Sequence, residues 1–406
     1  MNPKQIAISA FDYPLAQEDI AQYPLAQRDH SKLLVYKEHK VSHQFYHQLP
    51  ELIPSDYTLV FNESKVVHAR LLFEKASGGK IELFCLEPDA ARYSQVPLAM
   101  QEKGSVYWNV LVGGANKWKN DDPIFLKTTD LTITAKKIAR FDTHFLIEFT
   151  WDQAAWSFAE VLQHAGNIPL PPYMQRNAAM DDATRYQTVY AKAEGSVAAP
   201  TAGLHFTERL LEQLRQNNIH TSFLQLHVGA GTFMPVKSAT LEEHPMHAEW
   251  IVLDKNQMQN ILKGLEKGLI AVGTTSLRSL ESMYWIGYKL HFNIPVDWKG
   301  VAVEQWFAYE QEKVLDSSTA LQAIINYLKE NKLEFIHTKT QILIARPYKA
   351  KMVKALITNF HQPQSTLLVL VDALIGEVWK ELYALALKNK YRFLSYGDGC
   401  LFWFKQ

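Results

Sequence analysis

The fold is decided by the stretch from Leu269 to Arg278, which reads Leu-Ile-Ala-Val-Gly-Thr-Thr-Ser-Leu-Arg. Its four apolar residues, Leu269 to Val272, predict a short buried strand, and the glycine after them ends it. The hydroxyl residues that follow predict the start of a helix from Thr274 to Ser282. A buried strand that passes directly into a helix is the repeating unit of parallel sheets with helical connections.

The same alternation of strand and helix recurs on both sides of this stretch. Asp152 is expected to cap a helix that Gly166 ends, and another helix is expected to start at Thr207. Residues 355–358 predict a further strand, after which Ser365 is expected to cap a helix. The pattern predicts an α/β fold with a mainly parallel sheet.

Residues 68–150 have a different sequence pattern from the segments on either side. Two β-rich runs, residues 68–75 and 80–86, are separated by a glycine turn, and further short strands follow without a helical period. This block is expected to form a small antiparallel barrel or sandwich inserted into the α/β domain, and a barrel is the form adopted for the domain division. The predicted division is therefore a main α/β domain of residues 1–67 and 151–406 and a barrel domain of residues 68–150.

Charge and composition exclude several classes of protein. The chain of 406 residues carries 42 basic and 42 acidic side chains, so a nucleic-acid site must be a local patch. Its two cysteines exclude a disulfide framework and a four-cysteine zinc site, and they suit a reducing cytosol. With no signal peptide and no apolar run long enough to span a bilayer, we expect a soluble cytoplasmic protein without a membrane partner.

Four loops that follow apolar strands are rich in small, hydroxyl and imidazole residues. They cover residues 198–207, 226–233, 271–278 and 356–361. Ligands of open α/β sheets bind at the carboxyl ends of strands, so we expect such loops to converge on one pocket. The residues expected to bind substrate are Thr201, Gly203, Gly229, Gly231, Thr232, Thr274, Thr275, Ser276 and Arg278.

Each of these motifs also has a plain structural interpretation. The Gly-Ala-Gly turn at 229–231 lets backbone N–H groups approach a nucleotide, but it lacks the third glycine of the dinucleotide fingerprint and is equally typical of an ordinary turn. The hydroxyl residues 274–276 suit a carboxylate or phosphate at a helix N-terminus, with simple helix capping as the alternative. Arg278 is expected to pair with that anion or to lie on the surface.

Histidines within the loops are candidates for proton transfer. His205 and His227 lie where a titrating group is useful, and a structural hydrogen bond is the alternative for each. His244 and His247 have no third ligand at a matching spacing, so we expect no metal site.

A proline-rich segment precedes a candidate nucleic-acid contact. Tyr173 and Arg176 follow Pro169-Leu170-Pro171-Pro172 and suit stacking on a base and contact with a phosphate. The alternative is a rigid connector that carries a packed tyrosine.

Short characteristic segments are spread over nearly the whole chain. They are Phe11-Asp12-Tyr13-Pro14-Leu15, residues 28–35, Pro169-Leu170-Pro171-Pro172-Tyr173, residues 186–191, 197–207, 227–233, 244–249, 272–278 and 356–361, Tyr391-Arg392-Phe393 and Ser395-Tyr396-Gly397-Asp398. In order and spacing this series resembles the S-adenosylmethionine:tRNA ribosyltransferase-isomerases.

The resemblance implies an enzyme of queuosine synthesis. Such an enzyme transfers the ribosyl moiety of S-adenosylmethionine to the 7-aminomethyl-7-deazaguanine base at the wobble position of tRNA and isomerises it to epoxyqueuosine, releasing adenine and methionine. S-adenosylmethionine is a co-substrate, no cofactor is implied, and we expect a monomer. The chemistry needs a base that removes a proton beside the sulfonium, for which His205 or His227 is a candidate, with Asp398 as a third.

Departures from the family's pattern concentrate towards the C-terminal part. His68 replaces a proline, Ala345-Arg346-Pro347-Tyr348 replaces a Tyr-Pro-Gly-Tyr stretch, and residues 284–339 form a longer connection with a predicted helix from Ser318 to Glu330. Since the glycine and hydroxyl loops are intact, these changes bear on substrate and tRNA contacts more than on the reaction. Two other functions stay open: an S-adenosylmethionine-dependent RNA methyltransferase and a non-catalytic tRNA-binding paralogue.

Overall fold

The larger part of the chain is built on a single wide sheet. The computed structural model describes residues 2–75, 78–93, 95–118, 122–229, 236 and 238–404. Within them the strands of this sheet are β1 Lys32–Lys37, β2 Lys40–Phe45, β3 Thr58–Asn62, β12 His220–His227, β13 Glu249–Asp254, β14 Leu269–Val272, β15 Val301–Val303, β16 Phe335–Thr340, β17 Ala355–Asn359 and β18 Gly399–Trp403. The remaining strands are β4 Ser64–Val66, β5 Arg70–Glu74, β6 Lys80–Pro88, β7 Ser105–Gly113, β8 Ile124–Lys127, β9 Thr132–Arg140, β10 Phe145–Trp151 and β11 Ala193–Ser196.

The centre of the sheet is parallel. The strand order is β15-β16-β13-β12-β3-β14-β17-β18-β1-β2, in which β12, β3, β14 and β17 are parallel neighbours. Every residue of β3, β14 and β17 is buried, as expected of strands covered on both faces. Antiparallel strands lie towards both sides. The predicted α/β fold with a mostly parallel sheet is confirmed.

Helices pack against the sheet and against the barrel, and most of those predicted from the sequence begin close to the expected positions. They are α1 Leu49–Leu52, α2 Val96–Met100, α3 Phe158–Ala165, α4 Asp182–Arg185, α5 Glu208–Gln216, α6 Lys255–Leu265, α7 Thr274–His291, α8 Ser317–Glu330, α9 Thr366–Ile375 and α10 Trp379–Lys388. Thr207 caps α5 and Ser365 caps α9, because their hydroxyls accept the backbone N–H groups of Leu210 and Leu368 at 3.1 and 3.2 Å. Helix α7 is buried along almost its whole length, so it belongs to the core.

The β-rich block closes into an antiparallel barrel in the order β10-β7-β6-β5-β8-β9, which confirms the predicted barrel. Its interior is filled by side chains that include Phe73, Ile133 and Phe149, each with no exposed surface. The barrel strands run from Arg70 to Trp151. A domain boundary at residues 68 and 150 stays a prediction.

Helix α3 differs from the prediction at its start. Its cap is Ser157, whose hydroxyl accepts the Glu160 N–H at 3.4 Å while the Glu160 carboxylate accepts the Ser157 N–H at 2.7 Å. The predicted cap, Asp152, instead accepts the Thr132 N–H at 2.9 Å at the end of the barrel. The Ser-x-x-Glu spacing of a capping box was the stronger signal. The buried side chains of α3 pack into the core of the barrel.

Candidate functional site

A cleft opens at the carboxyl ends of β14 and β17. Three of the four predicted loops meet there, together with the segment after residue 391. The residues that line the cleft include Tyr173, Thr201, Gly273, Thr274, Thr275, Thr358, Asn359, His361, Ser365 and Ser395. This position, beyond the carboxyl ends of parallel strands, is where α/β sheets bind ligands.

Asn359 joins two walls of the cleft. Its Oδ1 accepts a hydrogen bond from the Thr201 hydroxyl at 2.9 Å, and its Nδ2 donates to Nε2 of His205 at 3.2 Å. His205 is buried, its ring stacks on Tyr46 at 4.2 Å between centroids, and its other hydrogen bond is with the backbone of Arg28. Burial lowers the pKa of His205 to about 3. The structure therefore gives His205 the contacts of a neutral residue that orients Asn359.

His361 is the imidazole on the wall of the cleft. Its Nε2 lies 2.9 Å from the Thr358 hydroxyl, which is the one hydrogen bond of the ring within the described residues. The backbone on both sides of the ring is fixed, since its N–H donates to the Tyr383 hydroxyl and its carbonyl accepts from the Tyr13 hydroxyl. Burial lowers the pKa of His361 to about 3, so the ring is neutral at physiological pH.

The N-terminus of α7 faces the same cleft. Gly273 adopts a φ of +91° before the first turn, a conformation that disfavours other residues, and it provides no side-chain cap. The first amides of the helix have no partner inside the helix and can bind an anionic group. Thr274 and Thr275 line the cleft as predicted. The Ser276 hydroxyl instead donates to the Val272 carbonyl at 2.7 Å.

The structure separates the two residues expected to contact tRNA. Tyr173 lines the cleft, where its hydroxyl lies 2.5 Å from Ser395 Oγ. Arg176 makes two hydrogen bonds with Asp182, at 2.6 and 2.9 Å, and covers the ring of Tyr23. The guanidinium of Arg176 is thus engaged within the protein, where it stabilises the buried Asp182 carboxylate.

Three further candidates do not line the cleft. Asp398 accepts the backbone N–H groups of Lys32 and Arg392, both at 2.8 Å, with its two oxygens. Gly203 leaves room for Tyr190, whose hydroxyl lies 1.9 Å from the position a Cβ would take. His227 ends β12 and is buried, and burial lowers its pKa to about 4.

The glycine loop after β12 is only partly described. Gly229 is described and does not line the cleft. Gly231 and Thr232 lie outside the described residues, so their predicted contact with substrate stays a prediction.

A second, smaller cavity adjoins the cleft at Leu367, which lines both. Arg278 and Glu249 form a buried ion pair on its wall, and His244 and His247 lie beside them. Arg278 therefore does not lie on the surface. In the parts of the chain that the structure describes, no group of three potential metal ligands occurs, and no helix is long and apolar enough to cross a bilayer.

Single sequence motifs did not predict three residues of this region as site residues: Asn359, His361 and Glu249. Asn359 ends the buried strand β17 and His361 follows it, at the same sheet edge as Thr274, a signal that the sequence contained. Glu249 lies on strand β13 and Arg278 on helix α7, and no local sequence pattern predicts that these two residues pair.

Comparisons with known proteins agree with one another. The sequence profile described as "Queuosine biosynthesis protein" matches residues 8–402. Proteins named S-adenosylmethionine:tRNA ribosyltransferase-isomerase from Thermus thermophilus and Acetivibrio thermocellus are 38% and 37% identical to this chain. The first covers 97% of this chain and 99% of the relative, and the second covers 96% and 98%. The crystal structure of S-adenosylmethionine tRNA ribosyltransferase from Thermotoga maritima is 26% identical, covers 97% of this chain and 100% of its own, and has a TM-score of 0.46.

The profile and the relatives named ribosyltransferase-isomerase match nearly the whole chain and confirm the resemblance drawn from the sequence segments. The chain therefore belongs to the queuosine biosynthesis protein family, together with the S-adenosylmethionine:tRNA ribosyltransferase-isomerases.

Proposed function

We propose that this protein transfers the ribosyl moiety of S-adenosylmethionine to the 7-aminomethyl-7-deazaguanine base of tRNA and isomerises it to epoxyqueuosine, releasing adenine and methionine. The observation that carries the proposal is 35–38% identity to ribosyltransferase-isomerases over at least 96% of the chain. These relatives support ribosyl transfer, not the methyl transfer or non-catalytic binding that the sequence left open. We further propose that the protein acts as a monomer in the cytoplasm and needs no cofactor.

The cleft has the groups that binding of a nucleoside requires. Tyr173 offers an aromatic face for a base, and the Thr201 and Thr275 hydroxyls are placed to hydrogen-bond to a ribose. The amides at the start of α7 favour a negatively charged group at the same wall. The adenine and ribose of S-adenosylmethionine are therefore assigned to this cleft.

His361 is the residue best placed to accept the proton from the carbon beside the sulfonium. With Nε2 held by Thr358, Nδ1 is the ring nitrogen without a hydrogen bond to a described residue. Its low pKa keeps the ring unprotonated at neutral pH. A pKa of about 3 also makes it a weak base, so the step depends on the acidity that the sulfonium gives to the carbon. His205, His227 and Asp398 remain the alternatives from the sequence.

The rest of the reaction needs positioning more than further proton transfer. Loss of the C5′ proton forms a C4′=C5′ double bond, breaks the C4′–O4′ bond and turns C1′ into a carbonyl, so adenine leaves with the electrons of the glycosidic bond. The amine of the modified base adds to C4′, and the carbanion regenerated at C5′ attacks the C1′ carbonyl to close the five-carbon ring. The resulting C1′ alkoxide displaces methionine from C5′ and closes the epoxide. Holding the two substrates in reacting geometry lowers the barrier by an amount comparable to the chemical groups themselves. Asn359, fixed between Thr201 and His205, keeps the walls of the cleft in place for this purpose.

Analysis of the products of S-adenosylmethionine tests the proposal. With tRNA that carries the aminomethyl base, the protein should release adenine and methionine in equal amounts. His361→Gln should lower the rate of adenine release by about 10²–10⁴-fold if His361 is the base. His220→Gln, at an exposed position on β12, is the matched control and should retain the wild-type rate. Formation of S-adenosylhomocysteine instead of adenine would contradict the proposed reaction.

A further inference from the structure

Arg278 is a buried cation, and only some of its hydrogen-bond donors have a partner among the described residues. It lies just over one turn into α7, with 7% of its surface exposed, and its Nη1 pairs with Glu249 of β13. Its Nε and Nη2 atoms are buried and have no hydrogen-bond partner among the residues that the structure describes. A buried donor without a partner costs about 1–3 kcal/mol, and more when it is charged, so native proteins rarely leave one without a purpose.

The unpartnered atoms form the side-on edge of the guanidinium. Nε and Nη2 point two parallel N–H groups in one direction, which is the geometry that a carboxylate accepts with both of its oxygens. Glu249 occupies the other side of the group through Nη1. The Nε and Nη2 edge, here termed the open edge, can therefore donate two hydrogen bonds to one further planar anion.

The cavity beside Arg278 suits a small group. It has a volume of about 30 Å³, room for a carboxylate or about two waters. Ile342, Leu343 and Leu370 form its apolar walls. Burial and the neighbouring His247 lower the pKa of His244, so His244 is neutral at physiological pH and Arg278 is the permanent cation of the lining.

The cavity lies next to the cleft assigned to the nucleoside. Leu367 lines both spaces, and Arg278 follows Thr274 and Thr275 on the same helix. A ligand with its nucleoside in the cleft can therefore extend its other end past Leu367 towards Arg278. S-adenosylmethionine has an amino-acid group at that end.

We propose that the open edge of Arg278 binds the α-carboxylate of the methionine portion of S-adenosylmethionine. The inference rests on the proposed function and adds the subsite that recognises the amino-acid end of the substrate. The carboxylate and Arg278 form a charge-assisted, bidentate pair, while Glu249 holds the guanidinium in position from its other side. The pair anchors the sulfonium between Arg278 and the cleft wall that carries His361.

The test compares S-adenosylmethionine with its decarboxylated analogue, which keeps the sulfonium and the nucleoside and lacks only the carboxylate. The readout is kcat/KM for adenine release with precursor-bearing tRNA. For the wild type, S-adenosylmethionine should be favoured by about 10–100-fold, the range that one charge-assisted contact provides. Arg278→Lys keeps a charge beside Glu249 but loses the fork, so the preference should fall severalfold.

A double variant removes both buried charges at once. Arg278→Met with Glu249→Gln leaves no unpaired carboxylate, and its preference should fall to about one. Lys289→Met is the control, because it removes a buried cation from the same helix away from the cavity, and it should keep the wild-type preference. If the double variant does not fold, the preference measured for Arg278→Lys alone decides whether Arg278 binds the carboxylate.

The outcomes separate this subsite from the proposed function. A wild-type enzyme that releases adenine equally well from both compounds, or Arg278 variants that retain the wild-type preference, would overturn the subsite and leave the function standing. A wild-type protein that releases adenine from neither compound would overturn both.

Discussion

Asn359→Ala should destabilise the protein more than its small change in volume suggests. The substitution removes the partner of two groups, the Thr201 hydroxyl at 2.9 Å and His205 Nε2 at 3.2 Å. His205 cannot turn to a new partner, because its ring stacks on Tyr46 and is bonded to the backbone of Arg28. An orphaned buried group costs about 1–3 kcal/mol, and the half-buried Thr201 can recruit water. With only His205 left without a partner, the expected loss is about 1–3 kcal/mol.

Urea unfolding followed by tryptophan fluorescence and by circular dichroism measures this loss, provided that the two transitions coincide. The control is Asn326→Ala on the exposed face of α8, which should change the free energy of unfolding by less than about 0.5 kcal/mol. A double-mutant cycle with Thr201→Val should give a coupling of about 1 kcal/mol between the two side chains. A loss no greater than that of the control, together with zero coupling, would refute the proposed network.

Two further predictions concern protonation and salt. His205, His227 and His361 have pKa values of about 3, 4 and 3 in the folded protein, below the ordinary 6.5. The unfolded chain therefore binds more protons below pH 6.5, and stability should fall by about 1.4 kcal/mol per pH unit for each histidine as pH drops from 6 towards 4. His361→Gln should reduce that slope by one such increment in urea titrations at several pH values, whereas an unchanged slope would mean that the ring is not buried and neutral. For tRNA binding, if Arg176 contacted a phosphate, Arg176→Ala would reduce the steepness of log affinity against log salt concentration by about one. Because Arg176 is paired with Asp182, we expect an unchanged slope and a less stable protein, and a reduced slope would contradict this.

Local patterns were sufficient to predict the architecture. The apolar run before Gly273 gave β14, the hydroxyl residues after it gave the start of α7, and the helix from Ser318 was found within one residue. Ser365 caps its helix as predicted, because capping depends on a hydroxyl and the next few amides alone. Periodicity and capping are properties of neighbouring residues, so they are visible in a sequence.

Side-chain roles within the site depended on contacts that the sequence does not contain. Arg278 was predicted to bind substrate from its position in the hydroxyl loop, but its pairing with Glu249 requires β13 to lie against α7. The expected phosphate ligand Arg176 lies against Asp182, and Asp398 is used by two backbone amides. A charged residue in a loop that resembles a binding site can either bind the ligand or stabilise the fold, and only tertiary contacts distinguish these roles.

The fate of the ribosyl carbons tests the proposed function most directly. S-adenosylmethionine labelled with carbon-13 throughout its ribose is incubated with the protein and precursor-bearing tRNA, and the nucleosides of the digested tRNA are analysed by mass spectrometry. Ribosyl transfer predicts a modified nucleoside that contains all the labelled carbons, with unlabelled adenine and methionine released. An unlabelled nucleoside that has gained a methyl group, or bound tRNA without any new nucleoside, would contradict it.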